Sequence, residues 1–300
     1  MDIKAKKNIF QQNKKLFEYV FVKYIKYNRP IKYVYNYFFE ERMKNTQFDK
    51  FAVVDVVMSD PLTIAKQFVE NGMHPVILST IDLKFDGIHV ETSDKIYDDT
   101  LLFRSNYYRT LHSSDIFPIN EHDALYTQYL FAIRDSNMNT FNNGFYFSVI
   151  TTTLTKQTEL YEQNLSSSNF LSTIQKIKTV FQLAYVNNHD VLILPLFGLD
   201  ANYPIDNIVT IYNNCILEFG HLFKFIVISV PNQVQMQEMY LTVANNIVKP
   251  HTYLLNNTPE INTIPIPMPI TPDLQTMQTM QTMQNTNQIP VINHAQAMYQ

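Results

Sequence analysis

Three hundred residues with 46% hydrophobic and 13% aromatic content supply a sizeable core, and exceed the roughly 100–200 residues of one ordinary domain. A net charge of −4 gives no general attraction to nucleic acid or anionic lipid, and the single cysteine, Cys215, excludes an intramolecular disulfide framework. No apolar run approaches the ~18–20 residues of a membrane span, and the leading MDIKAKKNIFQQNKK lacks the apolar core of a secretory signal. An intracellular protein is therefore expected. Abundant Asn, Ile, Lys, Tyr and Phe beside only five glycines point to an AT-rich genome such as that of a large DNA virus. For such a source the compartment is host cytoplasm or nucleus.

Residues 1–45 read as a helical extension, with LFEYVFVKYIKY (Leu16 to Tyr27) and IKYVYNYFFEERM (Ile31 to Met43) parted at Arg29-Pro30. Its lysines admit two readings, a basic amphipathic element for phosphate or membrane contact, or a cap whose aromatic face covers the next domain. Lys/aromatic richness is general in this chain, which favours the cap.

A domain over 46–250 follows, in which strand and helix patterns alternate. FAVVDVVM (Phe51 to Met58) reads as a strand, Asp60-Pro61 opens a helix over Leu62–Asn71, and Gly72 ends it. Pro75 to Ser79 is a second buried strand, and Asp98 to Leu111 reads as one helix. Strands at 126–134 and 145–153 precede an amphipathic helix over Leu171–Asn188. The apolar DVLILP (Asp190 to Pro195), a helix over Ile205–Phe219, the strand FKFIVISV (Phe223 to Val230) and a last helix over Gln235–Val248 complete it. Uninterrupted apolar strands alternating with helices imply an α/β fold with a largely parallel sheet covered on both faces. Ligands of such sheets bind at loops beyond the strands' carboxyl ends, here 80–97 and 196–204. Residues 251–300 turn to Pro, Asn, Thr, Gln and Met, including TMQTMQTMQ, a composition expected to be disordered.

Glycine is informative where it is rare, because backbone N–H groups in a turn hold phosphate best where no side chain blocks approach. Gly87 and Gly198 both fall in loops after buried strands. The segment PVILSTIDLKFDGIHVETSDKIYDDTLLFRSNYYRTL (Pro75 to Leu111) adds two adjacent carboxylates, Asp98 and Asp99, then Arg104-Ser105. In this order the features resemble the microbial-type poly(ADP-ribose) glycohydrolases, a branch of the macro-domain fold. Ser79 takes the place of that family's Asn, Gly87-Ile88-His89 of its triple glycine, and Tyr97-Asp98-Asp99 of its Gln-Glu-Glu. SVITTT (Ser148 to Thr153) is similar to its central strand. VLILPLFGLDANYPIDNIV (Val191 to Val209) is similar to its second phosphate loop, with Phe197 and Gly198 matching and Asp200 where a second glycine belongs.

The resemblance, over about residues 50–230, implies a three-layer α/β/α fold with a mixed, largely parallel sheet. It implies ADP-ribose, or protein modified with poly(ADP-ribose), as the partner, and it invokes no metal and no cofactor. It makes Asp99 the acid that protonates the leaving ribose oxygen as the glycosidic bond opens, with Asp98 as its orienter. Ser79, Gly87, Ile88, His89, Tyr97, Phe197, Gly198, Asp200 and Asn202 would line the ligand. Aspartate is one methylene shorter than glutamate, Ile88 and His89 bring Cβ atoms to the ligand, and Asp200 brings negative charge to the diphosphate. Three outcomes stay open at this point. The chain hydrolyses ADP-ribosyl bonds, or it is a catalytically inactive descendant that binds, or it interacts mainly through its N-terminal helices and tail.

Overall fold

The β-branched run VVDVVM and the apolar run VLILP lie on either side of FIVISV, all three pointing the same way. These are β2 (Val53–Met58), β6 (Val191–Pro195) and β7 (Phe225–Val230). Runs without polar alternation suit strands covered on both faces. The computed structural model describes residues 3–22, 30–34, 37–44, 51–82, 100–111, 116–154, 160 and 163–249. The expectations for the Gly87–Asp99 segment and for the tail beyond 250 lie outside the described residues.

The remaining strands are β1 (Ile31–Tyr33), β3 (Pro75–Asp82), β4 (Ala124–Arg134) and β5 (Thr140–Leu154). Together they make one seven-stranded mixed sheet in the order β1-β4-β5-β3-β6-β7-β2. The five strands from β5 to β2 are parallel, while β4 and β1 are antiparallel additions. Helices cover both sides. α6 (Ser167–Val186) and α7 (Ile205–Phe219) share one apolar cluster with Val76, Leu78, Ile150, Leu192 and Leu194. α7 buries Ile208, Ile211, Ile216 and Phe219, each contributing about 1.5–3 kcal/mol of apolar transfer. α3 (Pro61–Glu70) packs on β3 and β6 with Leu62, Ile64 and Ala65 buried. Asp60 caps α3 by accepting from Thr63 N at 3.0 Å, and Gly72 follows its end at φ +72°.

Two expectations are corrected. Ile31–Tyr33, read as helix, is a short edge strand on β4, with Ile31 opposite Tyr126 and Tyr33 opposite Ala124. Its Lys32 ammonium meets the buried Asp123 carboxylate at 3.5 Å, and Tyr33 donates to Gln182 Oε1 at 3.0 Å. The helix resumes only as α2 (Tyr37–Lys44). The helix expected up to Leu111 is two short ones, α4 (Thr100–Arg104) and α5 (Tyr108–Leu111). Between them Ser105 bridges Ala132, and Ser105 Oγ donates to Leu101 O while accepting from Tyr107 N. A side-chain hydroxyl competing for local backbone groups ends the helix there.

The lysine-rich α1 (Ile3–Lys15), extended by a π-turn over Leu16–Val20, lays Phe10, Phe17 and Phe21 inward. Phe10 meets Tyr108 edge-on at 5.4 Å, and Phe21 meets Phe131 at 5.6 Å. Asn13 donates to Phe103 O and accepts from Arg134 Nε at 2.7 Å, while Lys7 and Lys15 face outward. At the opposite end of the sheet, β2 is outermost. Its exposed Asp55 turns its carboxylate back to accept from Val56 N at 2.8 Å.

Candidate functional site

β3 and β6 are parallel neighbours, with Pro75 opposite Val191 and Ile77 opposite Ile193. Their carboxyl ends, Asp82 and Pro195, therefore open onto the same edge of the sheet. The segment leaving β3 leads through 83–99 to α4, and the loop leaving β6 leads through 196–204 to α7. A crevice at the carboxyl edge between adjacent parallel strands is where open α/β sheets take ligands.

The second loop is built around Gly198. It has φ +73°, and a Cβ there would lie 2.8 Å from Tyr203 Cβ and closer still to the ring. Only glycine meets both conditions. Gly198 O accepts from Ala201 N at 2.9 Å and from Tyr203 N at 3.2 Å, closing a 3-10 turn over Leu199–Ala201 that contains Asp200. Asn202 follows at φ +61°, a left-handed conformation that Asn tolerates, and is exposed. Phe197 is buried, edge-on to Tyr203 at 5.4 Å, so its ring is part of the loop's packing. Tyr212 of α7 donates to Pro195 O at 2.6 Å and pins the root of the loop. Burial holds that phenol above its usual range. Pro204 caps α7, whose amino end carries the positive end of a helix dipole at this edge. An open hollow of about 500 Å³ lies beside the loop, lined by Leu160, Gln163, Asn202, Tyr203, Ile205 and Asp206 among others.

On the β3 side, Ser79 is buried opposite Thr151 of β5. Tyr107 donates its hydroxyl to Ser79 Oγ at 3.1 Å and lies 2.7 Å from Thr151 Oγ1. Arg104, 1% exposed, pairs with Asp60 and donates to Thr63 Oγ1 at 3.3 Å and Arg134 O at 3.2 Å. The Arg-Ser of the sequence motif is thus a clamp between α3, α4 and β4. Gly87, Ile88, His89, Tyr97, Asp98 and Asp99 lie outside the described residues. Of the expected site, Ser79, Phe197, Gly198, Asp200 and Asn202 are placed, on the two adjoining strand exits. Among the described residues no group of three or more His, Cys, Asp or Glu could hold a metal ion, and no helix is long and apolar enough to cross a membrane.

Sequence reading did not single out Tyr107, Thr151, Gln163 or Asp206. Tyr107 had a signal, its place directly after the matching Arg104-Ser105. The others become neighbours of the site only through the fold.

No family model matches the chain, and no curated protein matches it by sequence. Solved structures do match by shape. Poly(ADP-ribose) glycohydrolase from Thermomonospora curvata superimposes with a TM-score of 0.65 at 12% identity, covering 81% of this chain and 99% of that one. The fold is that of the bacterial poly(ADP-ribose) glycohydrolases. The Thermomonospora glycohydrolase bound to the inhibitor ADP-HPD gives a TM-score of 0.63 at 11% identity, over 80% of this chain and 98% of that one. The glycohydrolase from Deinococcus radiodurans in complex with ADP-ribose gives 0.59 at 12% identity, over 69% and 88%. At such identity the likeness to the glycohydrolases concerns the backbone, and the side chains of the site carry their own argument.

Proposed function

We propose that this chain binds an ADP-ribose-type nucleotide, free or attached to protein, at the carboxyl edge between the 80–99 segment and the 196–204 loop. One observation carries the reading. Gly198 turns left-handed at the exit of β6, directly beside the exit of β3, at the amino end of α7. That combination of bare backbone and helix dipole favours a diphosphate. The glycohydrolase fold, found with ADP-ribose and ADP-HPD bound in its bacterial examples, supports the same ligand class.

The chemical part of the proposal is hydrolysis through Asp99. Its carboxylic acid gives its proton to the departing ribose oxygen as the glycosidic C–O bond breaks. Water then adds to the oxocarbenium carbon and returns a proton to the carboxylate. The second reading is a binding module that has lost this step. It is favoured by the shorter Asp99 and by Cβ atoms at Ile88 and His89.

Calorimetric titration with ADP-ribose tests the binding. Saturable heat supports it, and no heat at millimolar ligand refutes it. Incubation with poly(ADP-ribosyl)ated protein, beside Asp99→Ala, separates the two readings. Release of ADP-ribose by the wild type and not by the variant establishes hydrolysis, and binding without release establishes the module. Removal of 251–300 should leave the titration unchanged.

A further inference from the structure

Three hydroxyls meet beneath the β3 exit, and their protons can be counted. Ser79 and Thr151 are register partners on neighbouring parallel strands, and Tyr107 reaches both from the break between α4 and α5. The break itself is held on β4. Asn106 N donates to Phe131 O at 3.3 Å, and Asn106 Oδ1 accepts from Phe131 N at 2.7 Å. Ser105 bridges Ala132 next to it. Tyr107 is fully buried, so its ring cannot swing away. A phenol has one proton. Tyr107 gives it to Ser79 Oγ, so the contact with Thr151 must run the other way, with Thr151 donating. The order is Thr151 to Tyr107 to Ser79. Ser79 Oγ therefore receives a bond from below, and its own proton is directed away from Tyr107, on the side of the carboxyl edge.

We infer that Tyr107 is a positioning residue for the nucleotide site, fixing Ser79 Oγ as a hydrogen-bond donor toward a ligand oxygen at the β3 exit. The inference rests on the binding reading above. A buried donor into Ser79 selects one hydroxyl orientation before the ligand arrives, so the ligand's acceptor oxygen does not have to order it. The acceptor is an oxygen of the ADP-ribose-type ligand, from its sugar or its diphosphate.

The test is a double-mutant cycle on ADP-ribose affinity with the full chain. Tyr107→Phe keeps the ring and should weaken binding about five- to tenfold, the scale of one neutral hydrogen bond. Ser79→Ala should weaken it similarly. Adding Tyr107→Phe to Ser79→Ala should then change affinity less than twofold, because the oriented hydroxyl is already gone. Thr151→Val supplies the structural control. It also removes a buried hydrogen bond of Tyr107 but leaves the Ser79 bond in place, and should bind within about twofold of wild type. Equal losses in Thr151→Val and Tyr107→Phe would assign Tyr107 a packing role only and overturn the inference. So would additive losses in the double variant. If Tyr107→Phe does not fold, unchanged affinity in Ser79→Ala overturns it alone. A wild type that fails to bind ADP-ribose refutes the binding reading itself, and a wild type that binds with an additive cycle refutes only the role of Tyr107.

Discussion

The ring of Tyr203 occupies the space into which a side chain at Gly198 would project. The two residues close the β6–α7 loop on each other, since Tyr203 N also donates to Gly198 O. Neither can change alone.

Gly198→Ala should therefore destabilise the protein by roughly 2–4 kcal/mol, combining the left-handed backbone cost of ~1–2 kcal/mol with displacement of the tyrosine ring. Urea denaturation monitored by circular dichroism measures it. The double variant Gly198→Ala with Tyr203→Ala should recover part of the loss by opening the space. If the single variant is as stable as wild type, the loop does not hold the geometry described.

His189 makes stability depend on pH. Its ring is buried, with Nδ1 at 3.0 Å from His74 O and Nε2 at 2.9 Å from Tyr126 Oη. A carbonyl only accepts, so Nδ1 carries the proton and Nε2 accepts from the tyrosine. Burial lowers the folded pKa to about 4, against 6.5 for the free group. The neutral form is favoured in the folded state, so its stabilisation is complete above pH 6.5 and is lost as pH falls from 6.5 toward 4. About 3 kcal/mol is the ceiling of this effect. Thermal melts across that window should show His189→Asn with a flatter profile than wild type, whatever its absolute stability.

Arg104 is matched by the sequence motif, and its fully buried guanidinium serves architecture. Arg104→Met leaves Asp60 without its cation and should cost about 3–5 kcal/mol in urea denaturation. Arg104→Lys should lose nearly as much, since one ammonium cannot reach Asp60, Thr63 and Arg134 O together. A stable Arg104→Met protein would refute this assignment.

Four charges from three helices join α2 to the α6–α7 face. Glu40 Oε1 accepts from Lys178 at 2.9 Å and Lys44 at 2.7 Å, and both lysines also reach Glu218. Burial alone would raise the Glu40 pKa, but the two lysines together hold it below the usual 4.5. Its contribution to stability is thus present above 4.5 and disappears as pH falls through the lower folded value. Glu40→Gln should remove this acid sensitivity and lower the denaturation midpoint at pH 7, while leaving ADP-ribose titration unaltered.

The parts of this molecule fixed by local chemistry were legible in sequence. The helix over Ile205–Phe219 has the expected bounds, and Asp60-Pro61 with Gly72 marks both ends of α3. Ile31–Tyr33 misled because lysine and tyrosine at helical spacing also suit an exposed edge strand, and its partner β4 lies far along the chain. The break at Ser105–Tyr107 was hidden for a similar reason. No glycine or proline marks it, and it is made by a bridge to Ala132 and bonds to Phe131. At the site, Gly198 announced itself through rarity. The Tyr107–Ser79–Thr151 contact joins three distant segments, and no periodicity records such a meeting.

One small feature of β2 bears on how the protein behaves in concentrated solution. The outer rim of any open sheet invites a neighbouring molecule to stack its own strand alongside. Asp55 counters this twice, by placing an anion on the exposed rim and by occupying the Val56 amide with its own carboxylate. Replacing it by valine would turn six residues of nearly unbroken aliphatic chain into a template for fibrous growth, and light scattering on heating would reveal the difference first.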